Sequence, residues 1–495
     1  MTAGLRDGVR RGFSAAEPAA VTAALQYARE HASRFTGELA ELVRIPSVAS
    51  SPRYAPDVRR CARWLALHLA RIRIGPVRTV EAGGRPIVMA ETPGRPGRPS
   101  LLVYGHYDVQ PAEPIAPWSV PPFGGVIRGA DLYGRGTSDD KGQFFAHLKA
   151  IESWRMTTAV PLRIRVVLEG EEEVGSASLL RLLRTRPSVF ACDAAVISDM
   201  TMPANGRPAL TVGLRGSVSM ELQVDGAETE LHSGNFGGAV PNPLQALCGM
   251  IAALHGPDGR VRIPDFYRAV RSRSRRERER FSAMGRTHME VLRDAGAKAP
   301  WGERGFSLEE RVTIRPAVTV TGISDVYSGP GVKAVVPARA TAKINIRIVP
   351  DQDPWQIADA ASHFFASLTP PGITSRLRVL STAAPAGVDP SGPAAMAARR
   401  ALRLGFGREP ILQRVGGTIP VVSELQRLGV VPLLMGFARP SDGIHAADER
   451  IHLPHFHRGI AASIRLMDEL SKLPVRPRTA APGVSWNGGR HVSVA

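Results

Sequence analysis

The residues best suited to chemistry are histidines and carboxylates that recur just after short apolar runs. "GHYDVQP" at 105–111 carries His106 and Asp108, and "GRGTSDDKG" at 134–142 carries Asp139 and Asp140. "VLEGEEEVGS" at 167–176 sets Glu169, Glu171, Glu172 and Glu173 within five residues, "ISD" ends at Asp199, and "SDGIH" ends at His445. Four glutamates so close repel and raise one another's pKa, so a cation belongs beside them. Imidazoles and carboxylates that converge without thiols suit zinc, manganese or cobalt. In His106-Tyr107-Asp108 the i, i+2 spacing in extended backbone points both side chains the same way. Asp108 can then accept the second imidazole N–H and fix the tautomer. Taken singly these residues have duller uses, since acidic doublets commonly cap helices. Their shared position after strands is what turns the balance.

The elements that must position them are legible as short apolar runs: "LLVYG" at 101–105, "IRVVL" at 164–168, "AAVIS" at 194–198 and "VVPLLMGF" at 430–437. These read as buried strands, with helical patterns between them at 141–154 and 177–186. Alternating strands and helices predict an α/β domain with a largely parallel sheet flanked by helices. Such sheets place ligand sites at the C-terminal strand edge, where four strands here deliver His, Asp or Glu. From about 214 the texture changes. "SVSMELQVDGAE" and "ATAKINIRIVP" alternate apolar and polar residues around the helical "PLQALCGMIAALHG", which predicts a smaller α+β domain with one sheet face covered. The first grammar resumes after about 386. The expected division is a catalytic domain over 21–213 and 387–473, an inserted domain over 214–386, and loose tails at 1–20 and 474–495.

At 495 residues the chain is too long for one simple core, and its composition, 43% hydrophobic and 22% charged, is that of a soluble protein. No apolar run approaches the roughly 18 residues of a membrane span, and the N-terminus lacks the apolar stretch of a secretory signal. A cytoplasmic location without membrane attachment is expected. The cysteines, Cys61, Cys192 and Cys248, show no CxxC spacing and read as small buried hydrophobes. The net charge of +18 raises the question of nucleic acid. Its densest stretch, "RAVRSRSRRERER" at 268–280, ends by alternating arginine with glutamate, which predicts a solvated helical face with internal ion pairs. No nucleic-acid-binding signature accompanies it, and nucleic acid is not an expected partner.

Seven motifs in order, "GHYDVQP", "YGRGTSDDKG", "EGEEEVGS", "ISD", "LHSGNFGG", "GGTIPV" and "DGIHAADE", resemble the dinuclear metallopeptidases that include carnosinase and cytosolic non-specific dipeptidase. Aminoacylase, succinyl-diaminopimelate desuccinylase and glutamate carboxypeptidase are more distant members. The resemblance covers roughly residues 30 to 475, and "HYDVQP" and "LHSGNFGG" lean toward the dipeptidase branch. It implies two divalent metal ions per subunit, zinc first with manganese or cobalt as alternatives, bridged by Asp139. His106 and Asp199 would complete one site, Glu173 and His445 the other. Glu172 would be the general base and Asp108 would hold His106. The inserted domain would act as lid and homodimer contact, with His232 reaching the partner subunit's active site. Arg347 would grip the substrate carboxylate, with Gly417 and Thr418 of "GGTIP" lining that pocket. Two divalent ions bring +4, and Asp139, Glu173 and Asp199 return −3, which keeps the glutamates ionised.

Glu171, Val174, Thr418 and Ala447-Asp448 depart from the residues that relatives commonly carry, but none of these removes a ligand or the base. The expected activity is hydrolysis of dipeptides or similar small amides with a free carboxylate. An N-acyl or N-carbamoyl amino acid amidohydrolase with the same catalytic residues is the alternative. A non-catalytic peptide-binding relative would be favoured by a missing ligand, and every ligand is present.

Overall fold

A computed structural model of the chain describes residues 17–93 and 97–475. The expected tails therefore lie outside the described residues, apart from 17–20 and 474–475; the first helix, Ala19–Glu30, begins within the former. Among the described residues no helix is long and apolar enough to cross a membrane.

A nine-stranded sheet organises the molecule. Its middle is four mutually parallel strands, Arg163–Glu169, Ser100–His106, Ala194–Ile197 and Val431–Met435. These are the four apolar runs read from the sequence. They are apolar throughout because both faces are covered. Leu101, Val103, Val166 and Val196 enter one core with the helices Lys141–Thr157, Pro393–Phe406 and Leu453–Ser471. Leu102, Tyr104, Val167 and Ile197 enter a second core with Ala177–Thr185 and Pro420–Arg427. The flanks turn antiparallel: Ile87–Glu91 against Arg163–Glu169 on one side, Ala209–Leu214 against Val431–Met435 on the other. Gly105 lets the sheet approach its covering helix just before His106, because a Cβ there would lie 2.3 Å from the Phe144 Cβ.

A second sheet is wholly antiparallel, in the order Ala317–Ser324, Arg339–Ile348, Gly216–Asp225, Thr374–Ala383. Gly216–Asp225 alternates buried and half-buried residues along its length. One face packs Val218, Met220, Leu222, Ile344 and Ile346 against the helices Pro243–Ala252 and Pro354–Ser367. A third, three-stranded sheet joins Val126–Arg128, Asp131–Tyr133 and Arg450–His452.

Two expectations need correction. Cys61 is buried, but Cys192 is half-buried and Cys248 exposed. Cys248 sits beside Leu247, off the stripe that Leu247, Met250 and Leu254 bury at helical spacing. Within 268–280 only the part from Arg275 is helical. Arg275 pairs with Glu279 at 2.8 Å as predicted, but Arg278 reaches outside the segment to Glu310, at 2.6 and 3.0 Å.

Candidate active site

The parallel strands end on one edge and deliver their side chains there. His106 is the last residue of Ser100–His106, Glu172 and Glu173 form a 3-10 turn after Arg163–Glu169, and Asp199 follows Ala194–Ile197. Asp139 lies in the loop before Lys141–Thr157. His106 Nε2 is 3.0 Å from Asp139 Oδ1 and 3.9 Å from Asp199 Oδ2. His445 Nε2 is 2.8 Å from Asp139 Oδ2 and 3.4 Å from Glu173 Oε1. The outcome is two groups of potential ligands, His106–Asp139–Asp199 and Asp139–Glu173–His445, that share Asp139. His106 and Asp139 are buried, whereas His445 is half exposed and opens the cluster to solvent.

Charge is unbalanced in this cluster. Burial and then the neighbouring Asp139 push the Asp199 carboxyl up to about 7. Burial, with Asp199, Glu173 and Asp139 adding, holds Glu172 well above the ordinary carboxylate range. The hydrogen bonds to Asp139 and Glu173 raise His445 to about 10. Burial opposes protonation of His106, yet its bonds to Asp108 and Asp139 lift it well above normal. Protons on the imidazoles thus stand where cations belong. His106 Nε2 and Glu173 Oε1 are buried, and among the described residues their approaches to Asp139 and His445 are too poorly aligned to satisfy them as hydrogen bonds. Donor type, orphaned atoms and surplus carboxylates all fit a pair of divalent ions.

Supporting contacts fix the geometry. His106 Nδ1 is 3.1 Å from the Asp108 carbonyl oxygen and 3.5 Å from its carboxylate. The Asp108 carboxylate also accepts the backbone N–H groups of Glu172 and Glu173, at 3.2 and 3.1 Å. Glu169 accepts the hydroxyls of Tyr104 and Ser176 at 2.7 and 2.9 Å. Glu171 accepts the backbone N–H groups of Arg85 and Ser178 at 2.7 and 2.9 Å. Both of these tie the turn to its neighbouring elements.

Glu449 was not singled out in the sequence, although "DGIHAADE" contains it. It is fully buried and accepts from Ser138 N at 2.9 Å, Asp139 N at 3.1 Å, Gly136 N at 3.0 Å and Arg135 Nη1 at 2.8 Å. The Arg450–His452 strand, paired to Asp131–Tyr133, brings it there. Gln143 adds a second tether, donating to the Ser138 carbonyl and accepting from Phe437 N, both at 2.7 Å. The sequence signal was an acid beside a short strand, too common to weigh alone.

Arg347 Nη1 donates to Thr418 Oγ1 at 2.8 Å, and Thr418 Oγ1 donates to the Arg215 carbonyl at 2.6 Å. Arg347 has no carboxylate partner among the described residues. Arg215, also missed in the sequence, donates to the carbonyls of Gly416, Arg311 and Arg315 at 3.1, 3.2 and 3.3 Å. Gly417 is exposed, and no hydrogen bond joins it to Arg347 among the described residues. His232 is exposed in the short strand pair Leu231–His232 and Val335–Val336. Within the chain, no hydrogen bond or ion pair joins it to the His106–His445 cluster among the described residues.

A third group of potential ligands, Glu38, His68 and Glu152, is already closed by a cation. Lys149 Nζ is 2.8 Å from Glu152, 2.9 Å from His68 and also bonded to Glu38.

A helix-flanked parallel sheet with paired His and carboxylate triads at its C-terminal edge defines a metal-dependent hydrolase. The model of peptidase family M20/M25/M40 matches residues 102–469, and the chain belongs to that family. The Beta-Ala-His dipeptidase of Rattus norvegicus is 28% identical over 472 residues, 90% of this chain and 95% of that protein. The Cysteinylglycine-S-conjugate dipeptidase of Corynebacterium striatum is 30% identical over 424 residues, 84% of this chain and 91% of that protein. Among solved structures, the di-peptidase Dug1p from Saccharomyces cerevisiae superposes with a TM-score of 0.81 at 26% identity, over 92% of this chain and 99% of that one.

Proposed function

We propose that this metallopeptidase hydrolyses dipeptides, or similar small amides with a free carboxylate. The observation that carries the reading is the pair of ligand triads sharing Asp139, with Glu172 beside them. The names of the relatives, dipeptidases over nearly their whole lengths, support the substrate class.

In this reading His106, Asp139 and Asp199 hold one divalent ion, zinc, and Asp139, Glu173 and His445 hold the other. The pair would supply an activated water at neutral pH and stabilise charge developing on the carbonyl oxygen. Asp108 fixes the orientation of the His106 ring and, through two backbone N–H groups, of the Glu172-Glu173 turn. Glu172, whose side chain makes no hydrogen bond among the described residues, takes a proton from water and delivers it to the leaving amine. Arg347, braced by Thr418, takes the terminal carboxylate and sets the scissile bond in register. The 214–386 insertion serves as lid and as the contact of a homodimer, which carries His232 to the partner subunit's site. A cytoplasmic location, where the three cysteines stay reduced, belongs to the same reading.

The test is amino-acid release from unblocked dipeptides and their N-acetyl analogues, with added Zn, Mn or Co and with Glu172→Gln as the comparison. Release from unblocked dipeptides, lost by about 100-fold or more in Glu172→Gln at unchanged metal content, is the expected result. Release from acylated substrates alone moves the chain to deacylation. A fully active Glu172→Gln protein removes the proposed base.

A further inference from the structure

A cavity of about 720 Å3 opens on the face of the second sheet opposite the helices Pro243–Ala252 and Pro354–Ser367. Its floor is the Arg339–Ile348 strand, where Lys343, Asn345 and Arg347 alternate on the open face while Ile344, Ile346 and Ile348 are buried behind them. Asn345 Nδ2 donates to Ser217 and Ser219 hydroxyls on the adjacent strand, at 2.9 and 3.0 Å. The floor is therefore polar and held in one orientation.

The lining is strongly one-sided in charge. Arg215, Arg311, Arg315, Lys343 and Arg347 all line the cavity, against one acid, Glu303. Glu303 is already held by Arg315 in a two-pronged pair, at 2.8 and 2.7 Å. The other four cations have no carboxylate partner among the described residues. Arg311 spends its donors on the carbonyls of Phe306 and Trp301, at 3.0 and 2.8 Å, and Arg215 on three carbonyls. Removing positive charge from water without a counter-charge is unfavourable. Burial, and then Arg347, bring the Arg215 guanidinium down to about 10. An anion entering this cavity relieves that imbalance.

Resting on the dipeptidase reading, we propose that the cavity receives a second carboxylate, so that the preferred substrates are dipeptides ending in glutamate or aspartate. Arg347 takes the terminal carboxylate at one end of the floor. Lys343 stands four residues along the strand, about 13 Å away at about 3.3 Å per residue. It is exposed and has no ion-pair partner among the described residues, and its flexible stem can fold back over Asn345 toward the side chain of the C-terminal residue. Arg215 and Arg311 contribute field rather than contact.

The experiment compares kcat/KM for Ala-Glu against Ala-Gln and for Ala-Asp against Ala-Asn, with the metal-loaded full chain. The acidic member is expected to lead by about tenfold, with the lead shrinking as NaCl rises from low to high concentration. In Lys343→Gln the Ala-Glu to Ala-Gln ratio is expected to fall at least threefold, and in Lys343→Glu further. Because Lys343 is exposed, both variants fold. Acidic and amide dipeptides cleaved at rates within twofold of each other overturn the inference and leave the dipeptidase reading standing. A charge preference that survives both Lys343 variants overturns the assigned place of the second carboxylate. Hydrolysis of none of the four peptides by metal-loaded protein overturns the dipeptidase reading, and this inference with it.

Discussion

Glu449→Gln is the sharpest probe of how the site is held. The carboxylate accepts four hydrogen bonds, three from the backbone of residues 136, 138 and 139 and one from Arg135. Glutamine keeps one oxygen and turns an NH2 toward two of those donors, so about half of the contacts become repulsive. Hydrogen bonds to a charged group are worth about 1.5–3 kcal/mol each, and stranding one member of a buried ion pair costs about 3–5 kcal/mol. These overlap and do not add. Arg135 also keeps the Pro111 carbonyl at 3.2 Å and the Trp118 ring, whose centroid is 5.2 Å away. A net loss of about 3 kcal/mol follows, at the low end of the ion-pair range. The same loop carries Asp139, so affinity for divalent ions should weaken by about 10- to 100-fold, as when a metal ligand loses its support. Urea unfolding of the metal-loaded protein reads the first number, and competition with a chelator reads the second. A Glu449→Gln protein that matches the wild type in both would refute the idea that this carboxylate sets the loop.

Arg347→Ala should raise KM and lower kcat together by at least tenfold, because orientation depends on the same grip as binding; steady-state kinetics that stay unchanged remove Arg347 from the substrate pocket. His232→Ala should be inactive as a homodimer and regain part of its activity when mixed with Glu172→Gln chains. Mixed dimers that exchange subunits yet stay dead count against a role in trans. Above about pH 6.5, where the buried histidines His68, His147 and His455 are neutral in both states, the ion-free protein should lose stability as pH rises to about 8. Glu169, Asp199 and Glu449 are held near 8, 7 and 7, mainly by burial. An acid whose folded pKa lies above its unfolded value stabilises the fold below the unfolded value and loses that contribution through the folded one. His445, raised to about 10 by Asp139 and Glu173, acts in the same direction at higher pH. Saturating metal should flatten the profile. Unfolding midpoints of chelator-treated protein at pH 6.5 and 8 decide, and equal or greater stability at pH 8 contradicts the argument.

Much of this was legible because two regularities compound. A run such as "IRVVL" reports burial on both faces, and the polar residue ending each run reports the strand edge. Their conjunction points to His106, the glutamate run at 169–173, Asp199 and His445; only the family resemblance separates Glu172 and Glu173 from the rest of that run. Alternation in Gly216–Asp225 likewise reported a one-faced sheet. Direction was not legible in the same way: Ala209–Leu214 is as thoroughly buried as the parallel strands, yet runs antiparallel to its neighbour Val431–Met435. An apolar run carries no sign of polarity along the chain. Nor could Glu449 be weighed, since its partners are more than 300 residues away in sequence. The cationic cavity was hidden for the same reason. Its arginines are scattered from 215 to 347, and only the fold gathers them.

The tie between Glu449 and the loop at 135–139 also sets a timetable for synthesis. The loop emerges early, but its carboxylate partner lies 314 residues after Arg135. At about 5–20 residues per second, roughly 15 to 60 s separate the two on the ribosome. Throughout that interval the loop lacks its Glu449 tether and one of the two ligand triads lacks His445. Both triads are therefore complete only after nearly all of the chain has been made. A truncated product that stops before 445 would be inert toward peptides rather than an unregulated hydrolase.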